Sequence, residues 1–130
     1  MFSLITGNKI YKKITFEDVQ YILQYPEQYL IINTMREHEQ ECLIKHTISH
    51  TKEETIINEL LNNMDYASKR IVIYGKNQND EKSNEKYQQV INFGFRHVYL
   101  YQGGMFEWLL LQDIYGKDEF PTTSHTRSEE

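Results

Sequence analysis

Apolar residues along the chain fall into short segments with two different periods. Phe16, Val19, Ile22 and Leu23 recur at helical spacing behind Thr15. Thr15 with Asp18 three residues on is an N-cap pattern resembling a capping box. Pro26 ends that helix and biases Tyr25 away from helical geometry. Tyr29-Leu30-Ile31-Ile32 is an unbroken apolar run too short for a helix, and it predicts a strand buried on both faces. Residues 36–41 are too polar for core and read as a surface turn or short helix, and Ile44 and Ile48 mark a short, partly buried segment. Thr51 with Glu54 is a capping box, predicting a helix with Ile56, Ile57, Leu60, Leu61 and Met64 on one face. Ile71-Val72-Ile73-Tyr74 is β-branched, ends on an aromatic ring and stops at Gly75, so it predicts a strand. Residues 76–82 form a polar loop. Ser83 is placed to cap the next helix, with Tyr87, Val90 and Ile91 inward and Gly94 in the left-handed position after it. His97–Tyr101 predicts a further strand, Gly103-Gly104 a tight turn, and Met105–Leu111 the start of a last helix.

Strands alternating with helices predict an α/β fold with a mostly parallel central sheet flanked by helices. A chain of 130 residues suffices for one such domain, expected over residues 10–115. Residues 1–9 read as a lead-in. From Gly116 onward Pro, Thr, Ser and charge predominate, predicting a flexible tail over residues 116–130, mobile from about residue 118. In parallel sheets ligands bind beyond the carboxyl ends of the strands. Gly75 and the loop after it lie at such an end.

Composition narrows the classes. Hydrophobic residues make up 39% and charged residues 25%, with ten Tyr and six Phe to bury, which argues against wholesale disorder. The net charge of −5, without a basic stripe, disfavours nucleic acid. The ten tyrosines are spread through the predicted elements with few Lys or Arg between them, and read as core bodies with wet hydroxyls rather than base-stacking platforms. No apolar run approaches ~20 residues, so no membrane span is expected. The N-terminus lacks a signal-peptide pattern. With the single Cys42, this predicts an intracellular, cytoplasmic protein.

Three segments together resemble the rhodanese family. Leu30-Ile31-Ile32-Asn33-Thr34-Met35-Arg36-Glu37 looks like its first core strand, and Ile71–Tyr74 like the strand that delivers the active-site loop. Asn92-Phe93-Gly94-Phe95-Arg96-His97-Val98-Tyr99, followed by Gly103-Gly104-Met105-Phe106-Glu107-Trp108, looks like its closing signature of Gly-Phe, strand, Gly-Gly turn and Trp-bearing helix. The resemblance spans roughly residues 10–115 and implies a rhodanese-like three-layer domain. It also implies sulfur transfer through a Cys directly after the second of these strands. Here that position reads as Gly75, and Asn33 stands where the family usually has Asp.

Glycine offers no nucleophile. The loop carries Asp80 and Glu81 against an anionic substrate, and Lys76 and Lys82 only balance them. The leading expectation is therefore a catalytically inactive rhodanese-like domain that binds an unknown protein partner or small ligand. Its candidate surface is Gly75, Lys76, Asn77, Gln78, Asn79, Asp80, Glu81, Lys82 and Ser83, with Arg36 and Gly103 beside them. Two alternatives stand next to it. One is a sulfurtransferase or redox enzyme using Cys42 as its reactive thiol, although Cys42 reads most simply as a small, half-buried apolar residue. The other is a structural or assembly protein that associates through the tail or the apolar last helix. No cofactor is expected. No metal is expected either: His46 and His50 are four apart, but Thr47, Ile48 and Thr51 predict extended chain between them, and no further ligand completes a tetrahedral set.

Overall fold

The computed structural model describes residues 11–123. Its central sheet has four parallel strands: β1 (Lys13–Ile14), β2 (Tyr29–Asn33), β3 (Arg70–Tyr74) and β4 (Val98–Tyr101). They lie in the order β1-β4-β3-β2. Residues Leu30, Ile31, Ile32 and Asn33 pair with Ile71, Val72, Ile73 and Tyr74, and β3 pairs in turn with β4 from Ile71↔Val98 to Tyr74↔Tyr101. Four α-helices connect and cover the strands: α1 (Phe16–Ile22), α2 (His50–Asn62), α3 (Glu81–Asn92) and α4 (Gly104–Tyr115).

Side chains of a strand alternate between the two faces of a sheet, and here each face has its own core. Ile31, Val72, Tyr74 and Tyr101 point to one face, where Val19 and Ile22 of α1 and Met105 and Trp108 of α4 cover them. Leu30, Ile32, Ile71, Ile73, Val98 and Leu100 point to the other, beneath Ile57 of α2 and Tyr87 and Val90 of α3. Both faces being covered explains why β2 and β3 read as unbroken apolar runs rather than alternating ones.

Several boundaries differ from the sequence-based expectation. The Thr15 capping box forms: Thr15 N–H donates to Asp18 Oδ2 at 2.9 Å and Asp18 N–H to Thr15 Oγ1 at 3.3 Å. Thr51, by contrast, does not cap α2. The helix begins earlier, at His50, with Ser49 as its N-cap residue. Of its expected apolar face only Ile57 is buried, and Met64 is exposed. Ser83 does not cap α3 either. Asp80 does, and Ser83 is buried inside the first turn, donating to Asp80 O at 2.8 Å. The loop is therefore shorter than the pattern implied. Ile91, expected inward, is at the surface. The edge strand β1 has no counterpart among the expected elements, since two consecutive lysines carry no apolar signal. It is held by Leu100 N–H donating to Lys12 O at 2.8 Å and by Lys12 N–H donating to the Tyr87 hydroxyl at 3.0 Å.

The chain after α4 was expected as a flexible tail, but residues 116–123 fold back onto the body. Phe120 is buried, its ring centroid 4.9 Å from that of Trp108. Trp108 Nε1–H donates to Pro121 O at 3.0 Å and Gln112 Nε2 to Phe120 O at 2.8 Å. Thr123 N–H donates to Leu43 O at 2.7 Å, joining this segment to the stretch around Ile44. The expected lead-in over residues 1–9 and the remainder of the tail, 124–130, lie outside the described residues. Among the described residues no helix is long and apolar enough to cross a membrane.

Candidate functional site

Parallel strands put all their carboxyl ends on one edge of the sheet. The segments that leave β2, β3 and β4 there carry Thr34 to Arg36, Gly75 to Asp80, and Gly103. Topology thus brings together three of the expected site segments: Arg36, the Gly75 loop and Gly103.

The turn after β2 is built around a buried amide. Asn33 Oδ1 accepts from Met35 N–H at 2.9 Å and from Gln40 Nε2 at 2.8 Å, while its Nδ2 donates to Gln40 Oε1 at 3.1 Å. A neutral amide can both donate and accept here; a carboxylate could only accept. Arg36 starts a single 3₁₀ turn, Glu37–Glu39, and its backbone N–H donates to Glu39 Oε1 at 3.1 Å. Lys76 Nζ reaches Glu39 Oε2 at 3.1 Å. The Arg36 N–H first, and then Lys76, hold the Glu39 carboxyl below its ordinary value. Lys76 is well exposed, so this ion pair contributes little to stability.

Asp80 closes the loop after β3. Its Oδ1 accepts from Lys82 N–H at 2.9 Å, the usual N-cap bond of α3. Its Oδ2 accepts from Lys76 N–H at 3.0 Å and from Thr34 Oγ1 at 3.4 Å. The carboxylate therefore points inward over the end of β3, not out into solvent. Gly75 lies directly beneath it. A Cβ added at Gly75 would lie 2.9 Å from Asp80 Cγ and 2.8 Å from Thr34 Oγ1, and closer still to Asp80 Oδ2. The backbone of Gly75 does not have a positive φ. A side chain at this position would require the Asp80 carboxylate and the Thr34 hydroxyl to shift, whereas φ is no obstacle.

Helix α4 buttresses the loop from the other side. Met105 N–H donates to Gly75 O at 2.9 Å and Phe106 N–H to Lys76 O at 2.8 Å. This approach needs Gly104, whose φ is +71°; a Cβ there would meet Gly75 O at 2.7 Å and Asn77 N at 2.9 Å. The loop is thus fixed at both ends, by Asp80 and by the first turn of α4. Its middle residues, Gln78 and Asn79, are exposed.

Two clefts flank the loop. One, of about 240 Å³, is lined by Thr34, Met35, Arg36, Glu39, Lys76, Asn77, Asp80 and Lys82. Its three cations face two carboxylates. The other, of about 450 Å³, runs between residues 77–79 and α4 and is lined by Gly103, Phe106, Glu107 and Leu110. Residues Phe106, Glu107, Leu110 and Thr34 had no place in the sequence-based site. The i, i+4 spacing of Phe106 and Leu110 was a usable signal for an exposed stripe, but the surrounding all-apolar helix hid it. Glu81, expected at the site, is exposed on the first turn of α3, and Ser83 is buried behind Asp80. Cys42 lies elsewhere, partly buried against the core that contains Tyr74 and Trp108, and it does not line the 240 Å³ cleft.

Comparison with known proteins bears on this arrangement. Residues 18–111 match the rhodanese-like domain family. The fold superposes on a crystal structure of the Alr3790 protein from Anabaena sp. with a TM-score of 0.62, at 19% identity over 89% of this chain and 96% of that one. A solution structure of the rhodanese-like domain of the same Anabaena protein gives 0.62 at 19% identity, over 93% and 85% of the two chains. A Lactobacillus plantarum protein gives 0.61 at 22% identity, over 85% and 90%. These likenesses are of fold. No curated protein matches the sequence.

Proposed function

We propose that this chain, which belongs to the rhodanese-like domain family, is a catalytically inactive member that serves as a protein-binding module through its 75–83 loop. The observation that carries the reading is the geometry at Gly75. The residue after β3 has no side chain, and the space such a side chain would enter holds the Asp80 carboxylate, bonded to Lys76 N–H, Lys82 N–H and the Thr34 hydroxyl. Sulfur transfer needs a thiolate that can attack and an environment that accepts negative charge. At this point the chain presents the Asp80 carboxylate and no thiol, in a cleft whose three cations are partly offset by Asp80 and Glu39.

A loop braced at both ends also suits docking. Rigid surfaces lose little conformational entropy when a partner binds. The exposed residues of the loop, Lys76, Gln78 and Asn79, stand between two clefts. The reading in which Cys42 acts as a redox thiol has less support, because Cys42 packs against the core rather than in either cleft.

Two measurements test the proposal. Thiosulfate:cyanide sulfurtransferase turnover is expected at background, and turnover well above background ends the inactive reading. Affinity capture with the wild type beside a Lys76→Ser, Gln78→Ser, Asn79→Ser variant, which leaves Asp80 in place, is expected to lose partners. An unchanged captured set removes the loop as the binding surface.

A further inference from the structure

Helix α4 is apolar nearly all the way round. Met105 and Trp108 face the core. Phe106, Leu110 and Ile114, spaced four apart, form a stripe on the outside, with exposures of 63%, 50% and 63%. Large apolar side chains that line up in this way at a surface mark an interaction site more often than scattered ones do. The stripe begins at the cleft of about 450 Å³ beside residues 77–79.

Phe106 and Leu110 make one wall of the cleft apolar, the amides Asn77, Gln78 and Asn79 form the other, and Glu107 adds a carboxylate. Glu107 folds back over Gly103, where an added Cβ would lie 2.7 Å from Glu107 Cδ. Its Oε1 accepts from the Tyr101 hydroxyl at 2.6 Å. Tyr101 is itself buried, so the carboxylate is held in place from below. A carboxylate has about four acceptor sites, and among the described residues the Tyr101 hydroxyl is the side-chain donor bonded to Glu107, which lines the cleft. Among the described residues the ion pairs are Lys76–Glu39 and Lys86–Glu53, and none of the described cations is paired with Glu107.

We infer that the cleft between residues 77–79 and α4 docks an Arg or Lys of a partner protein, presented between apolar residues, with Glu107 receiving the cation and Phe106 and Leu110 receiving its alkyl stem and neighbours. The inference rests on the proposed role of the loop as a docking surface and names the chemistry of its occupant. Charge decides the choice. A purely apolar partner would bury the Glu107 carboxylate with the Tyr101 hydroxyl as its one side-chain donor and no cation, which is costly. An acidic partner would be repelled by Glu107 and by a chain of net charge −5. A guanidinium satisfies the carboxylate through two parallel N–H bonds and stacks on an aromatic face such as Phe106. Its methylenes cover apolar surface at the same time.

The test uses the full-length, ¹⁵N-labelled protein and an acetylated, amidated tetrapeptide, Leu-Arg-Leu-Leu. Versions with Gln or Glu in place of the Arg serve as controls. Saturable amide shifts are expected at residues 77–79 and 103–110 for the Arg peptide. The Gln peptide should bind about tenfold more weakly and the Glu peptide not at all. Glu107→Gln keeps an acceptor for Tyr101 and should weaken the Arg peptide by about tenfold. Phe106→Ala changes an exposed residue and should weaken it similarly, which guards against a folding defect in the first variant. Equal binding of the Arg and Gln peptides, no binding of any peptide, or indifference to both substitutions overturns the inference. So does a doubled mass in light scattering that Phe106→Asp abolishes, which would give the stripe to a second copy. Nuclear Overhauser contacts from the Phe106 ring to residues 1–10 or 124–130 would give it to the chain's own ends. If captured partners depend on residues 76–79 but not on Glu107 or Phe106, this inference falls and the docking role of the loop stands. If the Arg peptide binds through Glu107 while the captured set ignores residues 76–79, the loop reading is the one that fails.

Discussion

Placing a methyl group on Gly75 is the sharpest probe of how the loop is built. In Gly75→Ala the new Cβ would lie 2.8 Å from Thr34 Oγ1 and nearer still to Asp80 Oδ2. Thr34 can move its hydroxyl by rotating χ1, but Asp80 must withdraw its carboxylate. That breaks the bonds from Lys76 N–H at 3.0 Å and Lys82 N–H at 2.9 Å. Each is a backbone donor to a charged acceptor, worth about 1–1.5 kcal/mol net at a partly exposed cap. The loss is then about 2–3 kcal/mol. Restricting the unfolded chain at a residue whose φ already suits alanine returns about 0.4–1 kcal/mol, so the net cost should be about 2 kcal/mol. In an Asp80→Ala background the carboxylate is already gone, and the same Gly75→Ala change should cost less than about 0.5 kcal/mol. The coupling between the two positions is therefore about 1.5–2 kcal/mol. Urea unfolding of the four proteins of this double-mutant cycle measures it directly, with the single Gly75→Ala midpoint lowered by about 1 M. Additive effects would show that Asp80 does not occupy the space above Gly75, and the account of the emptied site would fall with it.

Three further outcomes are expected. Phe120→Ala should destabilise by about 3 kcal/mol in urea unfolding, because it removes a buried ring packed on Trp108 and Phe16; a loss under about 1 kcal/mol would mean that residues 116–123 do not share the core. Gly104→Ala should cost about 3 kcal/mol, since it strains a φ of +71° and drives a methyl into the backbone of Gly75 and Asn77. Its amide spectrum should change at residues 75–77, and an unperturbed loop would refute the buttress. Alkaline stability should fall above about pH 10, the ordinary tyrosine range. Burial raises Tyr74, and burial with Glu107 raises Tyr101, so both hydroxyls stay protonated in the folded chain while the unfolded chain releases its protons. The unfolded state then binds fewer protons, and stability drops as pH rises, by about 1.4 kcal/mol per pH unit for each such tyrosine. Tyr74→Phe or Tyr101→Phe should remove one proton from the slope of unfolding free energy against pH, and an unchanged slope would contradict the burial of that hydroxyl.

The run Ile71–Tyr74 and the spacing of Phe16, Val19 and Ile22 determined their elements by themselves, because period and capping chemistry act over a few residues. That the residue directly after β3 is a glycine without a side chain was legible as well, since Gly75 is visible in the sequence. Contacts that close over long separations were decided by the tertiary structure alone. Glycine and proline near residue 116 do end a helix, yet Phe120 finds the Trp108 ring and is buried. The strand at Lys13 exists because β4 offers an unpaired edge, not because its lysines favour extended chain. Ser83 and Asp80 compete for the same cap, and Asp80 wins because its second oxygen also reaches Lys76 N–H and Thr34 across the loop. The Glu107 carboxylate faces a cleft only because Gly104 lets α4 approach the chain at Gly75. Local pattern sets what each segment can form, but charge and shape at a site depend on which segments the sheet brings within a few ångströms of one another.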